Sequence, residues 1–168
     1  MSLPKRKHPR LKNFDYSQNG CYHIIICVKN ESVRLSTVGR GLAPAEAVVR
    51  LTKYGEIFKS ELLNLEDRFN CIKIDKYCIM PNHIHILLSI ENAGTAAGAS
   101  PRPTVSDCVR TVKSIFTRKC NAMDDTAGRI IFQSSFYDEI IGSVSYYEQV
   151  WRYIDENPIK WLITHHKI

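Results

Sequence analysis

The chain has 168 residues, 44% of them hydrophobic, and a formal net charge of +6. That length suits a single domain over residues 1–168 with an ample core, and no apolar run approaches the roughly 20 residues of a membrane span. An excess of positive charge favours a polyanionic partner only modestly, so the placement of the cations matters more.

The first fourteen residues, "MSLPKRKHPRLKNF", open a basic tail (1–15) that includes Arg10 and Lys12. No apolar segment follows, so this is not a secretory signal. Six cysteines are present and none forms a C-x-x-C pair. They read as reduced thiols of a cytoplasmic protein. "GCYHIIICVKN" follows an Asn-Gly turn signal and is rich in β-branched residues, which predicts a buried strand. "STVGRGLAPA" reads as a loop. From Pro44, "PAEAVVRLTKYGEIFKSELLNL" places Val48, Leu51, Ile57, Phe58 and Leu62 at helical spacing, with the proline in a first turn. Gly55 is a weak point in that helix.

"FNCIKIDKYCIM" alternates, with Ile72, Ile74 and Met80 on one parity, and reads as a strand. "PNHIHILLSI" continues as a second strand, joined at a Pro81-Asn82 turn. "ENAGTAAGASPRPT" (91–104) reads as a flexible loop. "TVSDCVRTVKSIFTRKCNA" reads as a helix capped by Thr104 or Ser106, with Asp107 in its first turn. "GRIIFQSSFYDEII" reads as a strand. "VSYYEQVWRYIDENPIKW" is an amphipathic helix with Tyr147, Val150, Trp151 and Ile154 on one stripe. Pro158 predicts a bend or an end to it. The order suggests an α+β sandwich: a mainly antiparallel sheet with ferredoxin-like connections, helices on one face and an appended C-terminal helix.

His83 and His85 lie two apart on a strand, so they share a face, while Ile84, Ile86 and Leu88 take the better buried one. Paired imidazoles can grip a divalent metal ion. Paired histidines on a polar sheet face also occur without function. Two ligands leave a metal under-coordinated. The last helix offers Asn157, whose amide oxygen is a hard donor suited to Mg²⁺ or Mn²⁺; Asp155 and Glu156 are nearby alternatives. Tyr153, four residues before Asn157, shares its helical face. Two histidines, an amide and a tyrosine could form a phosphoryl-transfer site in which the hydroxyl attacks phosphorus. Tyr137, Tyr146 and Tyr147 compete as nucleophiles by residue type. Arg110, Lys113, Arg118 and Lys119 make a basic group on the second helix, fit for phosphates or simply for water.

"MPNHIHILL", "SFYDEII" and "YEQVWRYIDENPIKW" together resemble the single-tyrosine HUH transposases, most closely the REP-associated tyrosine transposases. The resemblance runs from Tyr22 to Trp161, with His83, Ile84 and His85 as the HUH triplet. It implies a nuclease and strand transferase for single-stranded DNA that recognises hairpins and works near the nucleoid. It further implies Mg²⁺ or Mn²⁺ on His83 and His85, Asn157 as third ligand, and a 5′-phosphotyrosine on Tyr153. DNA contacts would come from Arg10, Lys12, Arg110, Lys113, Arg118 and Lys119. Relatives commonly carry a histidine where this chain has Glu139. Relatives include monomers and also dimers with shared active sites, so a homodimer with Tyr153 acting in trans stays open. A hydrolytic metal-dependent phosphodiesterase and a non-catalytic hairpin-binding protein are the competing readings.

Overall fold

The structure is a computed structural model that describes residues 18–42, 46–91 and 103–165. The basic tail, Pro44 and most of the 91–104 loop lie outside the described residues.

The main sheet has four strands, β1 (Gly20–Cys27), β4 (Ile72–Ile79), β5 (His83–Ile90) and β6 (Tyr137–Ile141). They lie in the order β4-β5-β1-β6, every neighbouring pair antiparallel. This is the ferredoxin-like arrangement expected from the element order. Helix α1 (Lys53–Arg68) connects the first strand to the β4–β5 hairpin, and α2 (Val105–Met123) connects that hairpin to β6. Helix α3 (Val144–His165) follows. Tyr22, Ile24 and Ile26 of β1 and Ile84, Ile86 and Leu88 of β5 pack with Phe58 of α1 and Phe116 of α2 in one cluster. On the opposite face, Leu87 packs with Val150 and Ile154 of α3. The central strands are therefore covered on both sides, and their near-continuous apolar runs follow from that.

Four expectations are corrected. Residues 36–40 and 47–51 are not loop and helix but a hairpin, β2 (Ser36–Arg40) and β3 (Ala47–Leu51). The helix begins only after Thr52, whose side chain caps Gly55 N. The β-branched pair Val48-Val49 suits a strand as well as a helix face, and pairing with β2 decides the matter. The 128–141 segment is not one strand: β6 starts at Tyr137, and before it Phe132 pairs with Val28, just past β1, through an isolated bridge. Of the bend or end expected at Pro158, the end does not occur: helix α3 runs through it to His165. In β4 the register shifts between Ile74 and Lys76, a bulge at Asp75. After it, Tyr77 and Ile79 share the face of Ile72 and Ile74, while Met80 packs on the α3 side with Leu162.

Thr104, one of the two proposed caps, closes α2 with a capping box to Asp107. All six cysteines are free thiols. No described helix is long and apolar enough to cross a membrane.

Candidate active site and basic groove

The β4–β5 turn is locked at its base. Val28 N donates to Asn82 O at 2.8 Å and Leu35 N to Pro81 O at 3.0 Å. His83 opens β5 directly after it. Its Nδ1 lies 2.7 Å from Asn82 Oδ1; an amide oxygen only accepts, so the imidazole proton sits on Nδ1 and the Nε2 lone pair is left over. His85, two residues on, is 1% exposed. Its Nδ1 meets His23 Nε2 of β1 at 3.1 Å, while its own Nε2 is buried without a hydrogen-bond partner. A buried polar atom left unpaired calls for an explanation, and two adjacent imidazoles with the Asn157 amide acting on His85 fit a divalent cation.

Burial pushes the pKa of His85 down to about 2, with His83 and His23 adding to the effect and the nearby Asn157 side chain opposing it. Burial also lowers His83 to about 4, helped by His165. Both are neutral at pH 7, as a metal-binding imidazole must be.

Helix α3 crosses this face. Tyr153 sets its ring edge-on to His85, with centroids 5.5 Å apart, and edge-on to His23 at 6.0 Å. Trp161, two turns on, lies 6.0 Å from His83. Asn157 Nδ2 donates to Tyr153 O at 2.8 Å, which commits its nitrogen and leaves its oxygen as the available donor atom. The structure therefore brings His83, His85, Tyr153 and Asn157 of one chain together. It does not bring the alternatives: Asp155 pairs with Lys76 at 2.7 Å and Glu156 with Lys160 at 2.8 Å. Tyr146 and Tyr147 pack in the apolar cluster with Leu87 and Val150. Among the described residues no group of three His, Cys, Asp or Glu could hold a metal ion. The donors these residues would offer a cation are two imidazoles and one amide, a mixed N/O set that would leave positions for phosphate oxygens and water.

Sequence reasoning missed two members, His23 and Asn82. Asn82 was visible only as a turn residue. His23 is a lone histidine in an apolar strand, and its neighbourhood with His85 exists only once β1 pairs with β5 in the register Ile25 opposite His85.

On the α1–α2 side of the sheet, Arg110, Lys113 and Arg118 line a groove of about 570 Å³ together with Arg129, Phe132 and Phe136. Lys113 Nζ donates to Gln133 O at 2.6 Å, pinning the groove's far wall. Lys119 is drawn elsewhere, onto the buried carboxylate of Glu61. Arg10 and Lys12 lie outside the described residues.

A family model described as "Transposase IS200 like" matches residues 16–157. A protein of Haemophilus influenzae described only as uncharacterized is 28% identical over 172 residues, covering 93% of this chain and 89% of that one. Among solved structures, that of a REP-associated tyrosine transposase bound to a REP hairpin superposes with a TM-score of 0.62 at 18% identity, covering 95% of this chain and 74% of that one. At that identity the match speaks for the fold.

Proposed function

The chain belongs to the IS200-like transposase family, and we propose that it is a metal-dependent nuclease and strand transferase that cuts single-stranded DNA beside a hairpin and joins it through Tyr153. The observation that carries this reading is the edge-on contact of Tyr153 with His85, centroids 5.5 Å apart, within one chain. It sets a hydroxyl-bearing ring beside two neutral imidazoles, with the Asn157 side chain acting on the His85 ring from the same helix.

His83, His85 and Asn157 would hold Mg²⁺ or Mn²⁺. When bound, the ion polarises the scissile phosphate and stabilises the charge that develops on it. The Tyr153 oxygen attacks phosphorus and loses its proton. The bond from phosphorus to the 3′ oxygen breaks, and that oxygen leaves as a free 3′ hydroxyl after taking up a proton. The DNA 5′ end stays on the enzyme as a phosphotyrosine ester. Attack by a 3′ hydroxyl reverses the sequence. The number of phosphodiester bonds is conserved, so no nucleotide cofactor is needed. The meeting of Tyr153 and His85 within one chain supports a reaction in cis.

The REP-associated transposase in the comparison is bound to a REP hairpin, and here the Arg110–Arg118–Arg129 groove suits the phosphates of a duplex stem. Arg10 and Lys12 of the tail add phosphate contacts. Groove and histidines lie on opposite faces of the sheet, so DNA spanning both passes round the β6 edge.

Incubation with a labelled hairpin carrying single-stranded flanks and Mn²⁺ tests the reading. A band that survives denaturing gel should appear, and Tyr153→Phe and His85→Ala should each remove it. Cutting without an adduct would favour the hydrolytic phosphodiesterase. Binding without cutting, with full affinity retained by Tyr153→Phe, would favour the non-catalytic binder.

A further inference from the structure

His23 and Glu139 stand behind the site and take no part in the chemistry above. His23 is 4% exposed, and its Nε2 lies 3.1 Å from His85 Nδ1 with the two ring planes 12° from parallel. Glu139 of β6 is its cross-strand neighbour, and its charge acts on the His23 ring.

Two ring nitrogens at that distance need one proton between them. With none, two lone pairs repel; with two, two N–H groups collide. His85 leaves Nε2 without a partner, and a cation can be held there only if that nitrogen carries no proton. A neutral His85 must then carry its proton on Nδ1 and donate it to His23 Nε2. His23 in turn must carry its own proton on Nδ1. Glu139, opposite His23 on the adjacent strand, brings a negative charge to that ring and favours proton density on it. The result is a carboxylate acting on one imidazole that orients a second, an extended form of the partner shell that fixes ring tautomers in metal sites.

We propose that His23, biased by Glu139, is a positioning residue that holds His85 in its Nδ1–H tautomer and keeps Nε2 open for a divalent cation. This rests on the metal role given to His83 and His85 above. Its role in the chain follows from fold geometry: only the β1–β5 pairing sets the two rings side by side.

Long-range ¹H–¹⁵N NMR of the full chain, without metal at pH 7.5, reads the tautomer directly. A pyridine-like Nε2 and a pyrrole-like Nδ1 on His85 are expected. In parallel, Mn²⁺ affinity is measured by electron paramagnetic resonance. His23→Phe should lower it by about 10- to 100-fold, the usual range for loss of an outer-shell partner. His23→Gln, whose amide oxygen can accept from Nδ1, should recover most of the loss, and Glu139→Gln should lose several-fold. A proton on His85 Nε2 in the wild type, or a His23→Phe affinity within about twofold of wild type, would overturn the proposal. Were His23→Phe unfolded, the wild-type spectrum and Glu139→Gln would decide alone. Wild-type protein that binds no Mn²⁺ would instead sink the metal role of the histidines, and the tautomer spectrum would still rule on His23.

Discussion

His85 is among the most constrained side chains in the molecule. It sits between His83 and His23, under Tyr153, with one nitrogen engaged and one left over. Burial lowers the pKa of all three histidines, to about 4 for His23 and His83 and about 2 for His85. The ordinary value is near 6.5. Above that, the rings are neutral whether the chain is folded or not, and their contribution to stability does not change with pH. Between about 6.5 and 4 the unfolded chain takes up protons that the folded chain refuses, so stability falls as pH falls. Each ring adds up to about 1.4 kcal/mol per pH unit. Urea midpoints of metal-free protein should therefore drop between pH 7 and pH 5, and His23→Phe should flatten that slope. An unchanged midpoint across the interval would contradict burial of these rings. At this scale the sequence was informative wherever the pattern was local. His83 and His85 on one strand, and Tyr153 and Asn157 on one helix, are fixed by periods of two and of 3.6. His23 was hidden because its partner lies 62 residues away.

Elements place these residues with little slack. The bulge at Asp75 puts Lys76 on the α3 side, where its ammonium stacks over Trp151 at 4.1 Å and pairs with Asp155 at 2.7 Å. That clamp holds the middle of α3, and with it Tyr153, against the sheet. Pro158 is buried within the helix. It lacks an N–H to give Ile154 O, and the adjacent Asn157 side chain adds a bond to Tyr153 O instead. Gly55 gains a reason here. A Cβ at that position would stand 2.1 Å from Leu35 O and 3.1 Å from Leu51 Cβ. The first turn of α1 lies directly on the β2–β3 hairpin's flanks, and only glycine lets it approach. Gly55→Ala should then destabilise by about 3 kcal/mol, the upper end for overpacking, despite alanine's better helix propensity. Urea unfolding decides, and a stabilised variant would show that the approach is looser than described. That hairpin was the element least legible in the sequence. Val48 and Leu51 fit a helical stripe and a short strand equally, and a two-stranded unit depends on neighbours that local pattern does not reveal.

Across the whole molecule, the two faces of the sheet divide the work. The α3 face carries the imidazoles and Tyr153; the α1–α2 face carries the Arg110–Arg118–Arg129 groove. The sandwich and its strand order were readable because alternation and crossover helices leave few topologies, whereas which lysines face DNA was not. Lys113 and Lys119 look alike in sequence, yet Lys119 serves the carboxylate of Glu61, whose side chain is 1% exposed. Lys119→Ala should cost about 1–3 kcal/mol of stability, less than a fully buried pair because its ammonium is half exposed, and leave hairpin affinity nearly unchanged. Arg118→Ala should do the reverse, weakening hairpin binding and reducing the salt slope by about one, whereas Arg129, held by Asp124 at 2.6 Å, is a structural cation like Lys119. Fluorescence anisotropy at several salt concentrations separates the two classes; equal effects on affinity from Lys119 and Arg118 would contradict the division. The covalent chemistry is tested most directly by mass spectrometry of peptides after reaction with a hairpin substrate and Mn²⁺. A nucleotide mass on the peptide containing Tyr153, absent when metal is withheld, is the expected result. A nucleotide on Tyr137, Tyr146 or Tyr147, or cut DNA with every tyrosine unmodified, would contradict it.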